Sequence, residues 1–227
     1  MISSINVSRH AKVLFMVGAG LWLPLIGADS ATVSSANQAA TVTNAADTLE
    51  TQAYLNEKVG FKIRAPKGWQ TTETKMFGLH VIFSNATEQT PIKKSINVVS
   101  EAVSPTDLAT YVATTKKTLA QMLSGYQAIE DENLVVSGNV PAKIIGACFK
   151  HGDLAFRNAQ LIVLHNDRAY LVTAVAAAAD WAQVNDLFMQ VFKSLEFVPT
   201  VMQAPQEEID GDDANVEVQP IESTEKN

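Results

Sequence analysis

The sequence predicts an α+β fold in which a largely antiparallel sheet of about seven or eight strands carries a helix on each face. Three observations support this fold class. Apolar runs of strand length follow one another with short turn signals between them, which is typical of antiparallel neighbours. Two longer segments repeat apolar residues at helical spacing. The two best strand signals, Ala155–His165 and Ala169–Ala177, are separated mainly by Asn166 and Asp167.

Asn166 and Asp167 predict a two-residue hairpin turn, because both residue types tolerate positive φ angles. This turn sets the register of the two strands: Leu161 opposite Val172, Val163 opposite Tyr170, and Ala159 opposite Ala174. One face of the hairpin is then nearly free of polar side chains. The other face is partly apolar and holds Ile162, Leu164, Leu171 and Val175 beside Asn158, Gln160 and Thr173. Both faces therefore need to be covered by other elements.

Further strand signals precede the hairpin along the chain. Phe61 and Ile63 alternate with charged residues, and Pro66 and Gly68 end that strand, since proline cannot donate to a ladder and glycine permits a turn. One further strand is predicted to begin near Tyr54. The others span Leu79–Ser84, Ile96–Glu101, Tyr126–Val136 and Val140–Lys150. A polar loop is expected over Asn85–Lys94 and a turn near Ser137–Asn139.

Two amphipathic helices are predicted, one on each face of the sheet. The first, Pro105–Leu123, has Ser104 as its N-cap and Gly125 just after its end. The second follows the hairpin, with Asp180 as its N-cap and Gln183 three residues later. The apolar stripe of this second helix consists of Trp181, Val184, Leu187, Phe188, Val191, Phe192 and Leu195.

The N-terminal region has the residue order of a secretory signal peptide. Arg9 and Lys12 precede an apolar run, Val13–Gly27, which small residues follow. This run is shorter than the roughly 20 residues that a membrane span needs. We therefore predict a signal peptide over residues 1–30 and an exported protein, periplasmic or secreted, with a retained anchor as the alternative. No cysteine lies directly after the run, which excludes a lipoprotein anchor.

Segments of low complexity are expected on both sides of a folded domain at residues 53–199. Residues 31–52 are rich in Ala, Thr, Ser and Asn and predict a flexible linker. Residues 200–227 predict a disordered acidic tail, because they carry eight acidic residues against one lysine. This tail accounts for the formal net charge of -7. The remainder is electrically balanced, so no basic footprint for nucleic acid is expected.

Few residues indicate chemistry. Cys148 is the only cysteine, and His151 follows it at a spacing that would suit a thiol and its base. On a strand, however, an offset of three residues places two side chains on opposite faces. His80, His151 and His165 are spread along the chain without metal-ligand spacing, and Asp210–Asp213 lacks the spacing of a calcium loop. We therefore predict no catalytic, cofactor or metal site, and no enzyme.

Several segments resemble the PsbP-like superfamily, which includes bacterial DcrB-type periplasmic proteins and eukaryotic Mog-type Ran-binding factors. Its opening strand, F-x-I-x-x-P-x-x-W, is similar to Phe61–Trp69. Other similar segments are the helix Pro105–Leu123, Val136–Ala142, the turn at Asn166 with Ala169–Thr173 after it, and the closing Phe192–Phe197. Asp167 stands where the family more often has glycine. The resemblance covers residues 54–197 and implies an α/β/α sandwich without shared catalytic residues, whose members mostly dock onto other proteins.

Three functions remain open at this point. The leading hypothesis is an exported, non-catalytic module that docks onto another protein in the bacterial envelope or outside the cell. The alternative is a protein that binds a small apolar or lipid ligand between sheet and helix, as the second apolar face of the hairpin suggests. The third is a thiol-dependent hydrolase that uses Cys148. Contact with a membrane is expected only through an uncleaved signal segment.

Overall fold

The structure, a computed structural model, describes residues 48–74, 76, 78–85 and 92–200, and these residues form ten strands and two α-helices. The strands are β1 (Tyr54–Asn56), β2 (Phe61–Ile63), β3 (Gln70–Glu73), β4 (Leu79–Ser84), β5 (Ser95–Ala102), β6 (Gln127–Val136), β7 (Val140–His151), β8 (Leu154–His165), β9 (Arg168–Ala177) and β10 (Glu196–Phe197). The helices are α1 (Leu108–Met122) and α2 (Trp181–Lys193). The predicted signal peptide, most of the predicted linker and residues 201–227 of the predicted tail lie outside the described residues, as do residues 86–91 of the polar loop.

Seven strands form one antiparallel sheet in the order β3-β4-β5-β9-β8-β7-β6. The other three strands form a small sheet in the order β1-β2-β10. The predicted fold class is confirmed. The sequence places Phe61–Ile63 in the main sheet, whereas this strand is the centre of the small one. Strands β3 and β10 are absent from the sequence prediction, because the first is entirely polar and the second has two residues.

Strands β8 and β9 form the predicted hairpin. The three predicted residue pairs are confirmed: Leu161 opposite Val172, Val163 opposite Tyr170, and Ala159 opposite Ala174. The turn residues Asn166 and Asp167 have φ angles of 48° and 56°. Two consecutive left-handed residues make the turn whose twist matches that of the flanking strands, so local conformation and strand pairing favour the same register.

The two faces of the main sheet are covered by different elements. On the α2 face, Leu161 and Val172 pack in a core with the apolar stripe of α2 and with Phe61 and Ile63 of the small sheet. On the α1 face, Ile162 and Leu171 pack against Tyr111, Val112 and Leu119 of α1. The helices therefore cover opposite faces, as the sequence predicts. Burial of each large apolar side chain contributes about 1.5–3 kcal/mol, which makes these two interfaces the main source of stability.

Two polar side chains buried on the α1 face, those of Gln160 and Asn158, form hydrogen bonds between neighbouring strands. Gln160 donates to the hydroxyl of Thr173 at 2.8 Å, across the hairpin. The side-chain oxygen of Asn158 accepts from the backbone N–H of Ala147 at 3.1 Å. Both bonds join neighbouring strands, so these residues add directional contacts to an otherwise apolar interface.

The helix starts differ from the predicted ones. Helix α1 begins after Asp107, not Ser104, because the carboxylate of Asp107 accepts from both the backbone N–H and the hydroxyl of Thr110, at 2.8 and 2.9 Å. Asp180 makes no capping hydrogen bond. It closes a 3-10 turn, and its φ and ψ of -90° and -7° are helical, whereas a capping residue is extended. Neither helix of the described chain is long and apolar enough to span a bilayer.

Replacing Asp167 with glycine is expected to raise the free energy of unfolding by about 0.5–1 kcal/mol, because glycine adopts the left-handed conformation without steric cost. Urea unfolding at pH 7 measures the change. The matched control is Asp153→Gly, at a turn position without a positive φ. Glycine there only adds entropy to the unfolded chain, so no gain is expected. Equal effects in the two variants would contradict this account of the turn.

Candidate functional site

The structure keeps the predicted thiol and base candidates apart. Cys148 is half-buried on β7, in register with Gln127 of β6 and Arg157 of β8. His151 is exposed at the end of the same strand, opposite Leu154. Within the described residues, no hydrogen bond joins the two side chains. His151 is therefore not placed to act as the base for this thiol.

The three histidines singled out from the sequence are divided between the two ends of the sheet. His151 is at the turn between β7 and β8, whereas His80 and His165 are at the end that carries the hairpin turn. Since β8 has 12 residues, its two ends are roughly 35 Å apart. In the part of the chain that the structure describes, no group of three His, Cys, Asp or Glu residues could hold a metal ion.

His80 belongs to a hydrogen-bond chain at the hairpin end of the sheet. Its Nε2 lies 2.8 Å from the hydroxyl of Ser100, and the guanidinium of Arg168 donates to the same hydroxyl at 2.8 Å. A guanidinium can only donate, so the Ser100 hydroxyl accepts from Arg168 and keeps its own hydrogen free to donate to a neutral His80. Burial, followed by the charge of Arg168, lowers the pKa of His80 to about 4.

His165 is part of an aromatic cluster that joins the two sheets. Its ring stacks on that of Phe197, with centroids 4.1 Å apart, and Phe197 also contacts Tyr170 at 4.9 Å. Tyr170 in turn contacts Phe61, and its hydroxyl donates to the carbonyl of Val59 at 2.8 Å. Burial raises the pKa of Tyr170. The cluster fixes β10 and β2 against the hairpin, so His165 has a packing role.

A cleft of about 420 Å³, here called the hairpin cleft, lies beside this cluster. Its walls come from the β1–β2 turn, the hairpin turn and the segment after β10. The residues that line the cleft include Lys58, His165, Asp167, Arg168, Val198 and Thr200. The cleft therefore combines two basic side chains, one carboxylate and an aromatic wall.

The outer edge of β6 is the longest unpaired strand edge among the described residues. The strand has ten residues and is the last in the main sheet. Ile129 and Val135 are 47% and 59% exposed, which is unusual for large apolar side chains. A bulge between Ala128 and Glu130 interrupts the pairing with β7, so residues 130–136 form the regular part of the edge. An unpaired edge presents free N–H and C=O groups to another chain.

Most acidic side chains of β6 are already paired. Asp131 forms ion pairs with Lys116 of α1 and Lys143 of β7, and hydrogen bonds from these two lysines lower its pKa. Glu130 pairs with Arg157. Glu132 forms no ion pair within the described residues. It is therefore the carboxylate of this strand that remains available to an incoming cation.

A second cleft, here called the edge cleft, lies between β6 and α2 and has a volume of about 320 Å³. The guanidinium of Arg157 lies 4.8 Å above the ring centroid of Trp181, which is a cation–π arrangement. The cleft is lined by Glu130, Glu132, Arg157, Trp181, Asn185 and Met189, among others. It opens beside the unpaired edge, so a strand added to β6 would direct side chains into it.

Gly146 makes this arrangement possible. A Cβ atom at position 146 would lie 2.4 Å from the carboxylate of Glu130 and 2.9 Å from its Cβ. The absence of a side chain lets Glu130 cross β7 and reach Arg157 on β8. The sequence prediction omits Glu130 and Arg157, because neither belongs to a motif, and it assigns Trp181 to the core. Trp181 is indeed buried, with one ring face against Arg157.

Comparison with known proteins identifies the family. The PsbP family model matches residues 49–197, which is more than half of the chain. The chain belongs to the PsbP family. The resemblance predicted from the sequence is thereby confirmed. No curated protein matches the chain.

Solved structures of low sequence identity share the PsbP-family fold. The cyanobacterial PsbP (CyanoP) of Synechocystis is 18% identical with a TM-score of 0.52, and the match covers 71% of this chain and 98% of CyanoP. LpqN of Mycobacterium tuberculosis, a protein involved in cell envelope biogenesis, is 13% identical with a TM-score of 0.55, covering 68% and 94%. At such identities the likeness establishes the fold alone.

The depressed pKa of His80 predicts an acid-sensitive contribution to stability. Its value of about 4 in the folded protein is below the roughly 6.5 of an unfolded chain. The unfolded chain therefore binds the proton first, and stability is lost as the pH falls from about 6.5 towards 4. In His80→Gln, which keeps a hydrogen-bonding side chain, we expect a smaller decrease in Tm over this interval.

Thermal unfolding of both proteins at pH 7, 5.5 and 4.5 measures this difference. His151→Gln is the matched control, since His151 is exposed at the other end of the sheet, and its pH profile should follow that of the unmodified protein. Parallel Tm profiles for His80→Gln and the unmodified protein would contradict the prediction.

Proposed function

We propose that this PsbP-family protein is an exported, non-catalytic module of the bacterial envelope that docks onto another protein through the unpaired edge of β6. The observation that carries the proposal is the open edge itself, with Ile129 and Val135 exposed on a strand of ten residues. Addition of a partner strand satisfies the free backbone groups and buries apolar surface at the same time. This is the mode of β-strand addition.

Successive side chains of β6 point to opposite faces of the sheet, so the two faces of a partner strand contact different residues. Glu132 faces the edge cleft on the α2 side, and Leu134 packs against the core on that side. Asp131 pairs with Lys116 of α1 on the other side, and Val135 shares that side by strand alternation. Successive side chains of an added strand therefore enter the edge cleft or lie beside Val135.

The chemistry of the two sides specifies the partner segment. Glu132 supplies an unpaired carboxylate to the edge cleft, and Trp181 and Met189 supply apolar wall. A lysine or arginine fits this combination, because its stem packs on apolar surface while its charged group meets the carboxylate. On the other side, Val135 favours an apolar residue. We infer an extended segment in which basic and apolar residues alternate.

Export and envelope location rest on the N-terminal signal pattern and on the family. Arg9 and Lys12 followed by Val13–Gly27 support translocation. LpqN, which shares the fold, is involved in cell envelope biogenesis. The separation of Cys148 from His151 and the lack of a metal cluster among the described residues favour a role without catalysis. The alternative, an apolar ligand between sheet and helix, is suggested by the second apolar face of the hairpin. Because α1 packs on that face, the alternative is not favoured.

Site-specific photo-crosslinking in cells that express the full chain tests the docking edge. A photoreactive residue at Val135 is expected to give a discrete adduct with one partner. Matched positions are Thr71 on β3, the opposite edge strand, and Ala113 on the exposed side of α1. Neither should give this adduct. Equal adducts from Thr71 or Ala113 would refute docking through β6.

Charge reversal tests the predicted chemistry of the partner. Glu132→Lys should weaken binding of the crosslinked partner about fivefold, as expected for an ion pair at an interface rim. Asp153→Lys is the matched control, because this exposed residue lies at the turn between β7 and β8. In the complex, backbone amides of residues 130–136 should gain protection from hydrogen exchange. Unchanged exchange of these amides would exclude strand addition even if a partner binds.

A further inference from the structure

The hairpin cleft has the size and walls of a small-molecule site. Its volume of about 420 Å³ falls within the range of roughly 300–1,000 Å³ that ligand pockets occupy. It lies at the hairpin end of the sheet, whereas the edge cleft lies beside the first residue of α2, Trp181. A ligand there is independent of the proposed docking function.

The charged groups of this cleft favour an anion. Lys58 and Arg168 contribute two positive charges, and Asp167 contributes one negative charge. Within the described residues, neither Lys58 nor Arg168 forms an ion pair with a carboxylate. The two cations are therefore not neutralised by a salt bridge there, in a protein whose formal net charge is -7. An anionic group would gain from both of them.

The structure holds Arg168 in place before any ligand binds. Its guanidinium donates to the hydroxyl of Ser100, which bonds to His80. Its Nε is buried and has no hydrogen-bond partner among the described residues. Ser100 is itself fixed, since its N–H donates to the carbonyl of Gly78 at 2.9 Å and a Cβ on Gly78 would lie 2.4 Å from the Ser100 carbonyl oxygen. Such preorganisation lowers the entropic cost of binding.

The remaining walls suit a flat, apolar body. The ring of His165 is held against Phe197 by stacking, at an interplanar angle of 19°. Tyr170 and Val198 add apolar surface, and Thr200 adds a hydroxyl at the rim. An aromatic ligand can lie along this wall while its acidic group reaches the two cations.

We propose that the hairpin cleft binds a small aromatic or planar organic acid, with its carboxylate or phosphate between Lys58 and Arg168 and its ring along His165. Carboxylates and phosphates share the oxygen geometry that an arginine recognises. The proposal adds a ligand site to a fold whose proposed role is protein docking, and it stands or fails separately from that role.

Titration of the full chain, followed by ¹H–¹⁵N NMR, tests the site with three probes: phenyl phosphate, benzoate and inorganic phosphate. We expect saturable shifts for at least one organic probe, at the backbone amides of Gly60, Asn166–Arg168 and Thr200. The tighter of the two organic probes identifies the preferred acidic group. Inorganic phosphate should bind about tenfold more weakly than phenyl phosphate, because it lacks the ring that packs on the aromatic wall.

Variants assign the binding to the two cations. Lys58→Gln and Arg168→Gln should each weaken binding about tenfold, as expected for loss of a charged hydrogen-bond donor. Ser100→Ala keeps both charges but releases the guanidinium, so an intermediate loss is expected. Lys150→Gln, at the far end of β7, should bind as the unmodified protein does.

Three outcomes would overturn the proposal: no saturable shifts with either organic probe, shifts that map elsewhere, or unchanged affinity in Lys58→Gln. The last test does not depend on folding of the Arg168 variant, since Lys58 is exposed.

Discussion

The need to cover both faces of one hairpin determines the architecture of this protein. Residues Leu161, Ile162 and Val163 are consecutive on β8 and all fully buried, although neighbours on a strand point to opposite sides. Neither face can therefore be left to solvent. Helix α2 and the small sheet cover one face and α1 covers the other, so every layer of the sandwich packs against this hairpin.

The parts of the fold that could be predicted are those in which local and long-range preferences agree. The turn residues Asn166 and Asp167 and the apolar alternation of β8 and β9 favour the same register, which the structure has. Strand β4 has the predicted bounds, Leu79–Ser84, for the same reason. The N-cap of α1 was not predictable, because Ser104 and Asp107 are both good caps and tertiary packing decides where the first turn begins. Strand β3 is polar and exists only through pairing with β4.

The candidate sites could not be predicted, because they consist of residues that are distant in the sequence. Arg157 and Glu130 are 27 positions apart, and Arg168 and Ser100 are 68 apart. None of these residues stands in a recognisable motif. The predictions based on residue type, which single out Cys148 and His151, concern side chains that the fold keeps apart. Strand order is equally hidden from sequence, so the pattern of β6 does not reveal that this strand is an edge.

The acidic character of β6 affects self-association. Two copies of the protein that joined their sheets edge to edge in antiparallel register about Glu132 would place the Glu132 carboxylate of one copy opposite that of the other. Like charges that face each other across strands are destabilising. The same Glu132 carboxylate, which forms no ion pair within the described residues, attracts a basic strand from a different protein. The edge thus disfavours association of two copies while it stays open to a basic strand of another protein.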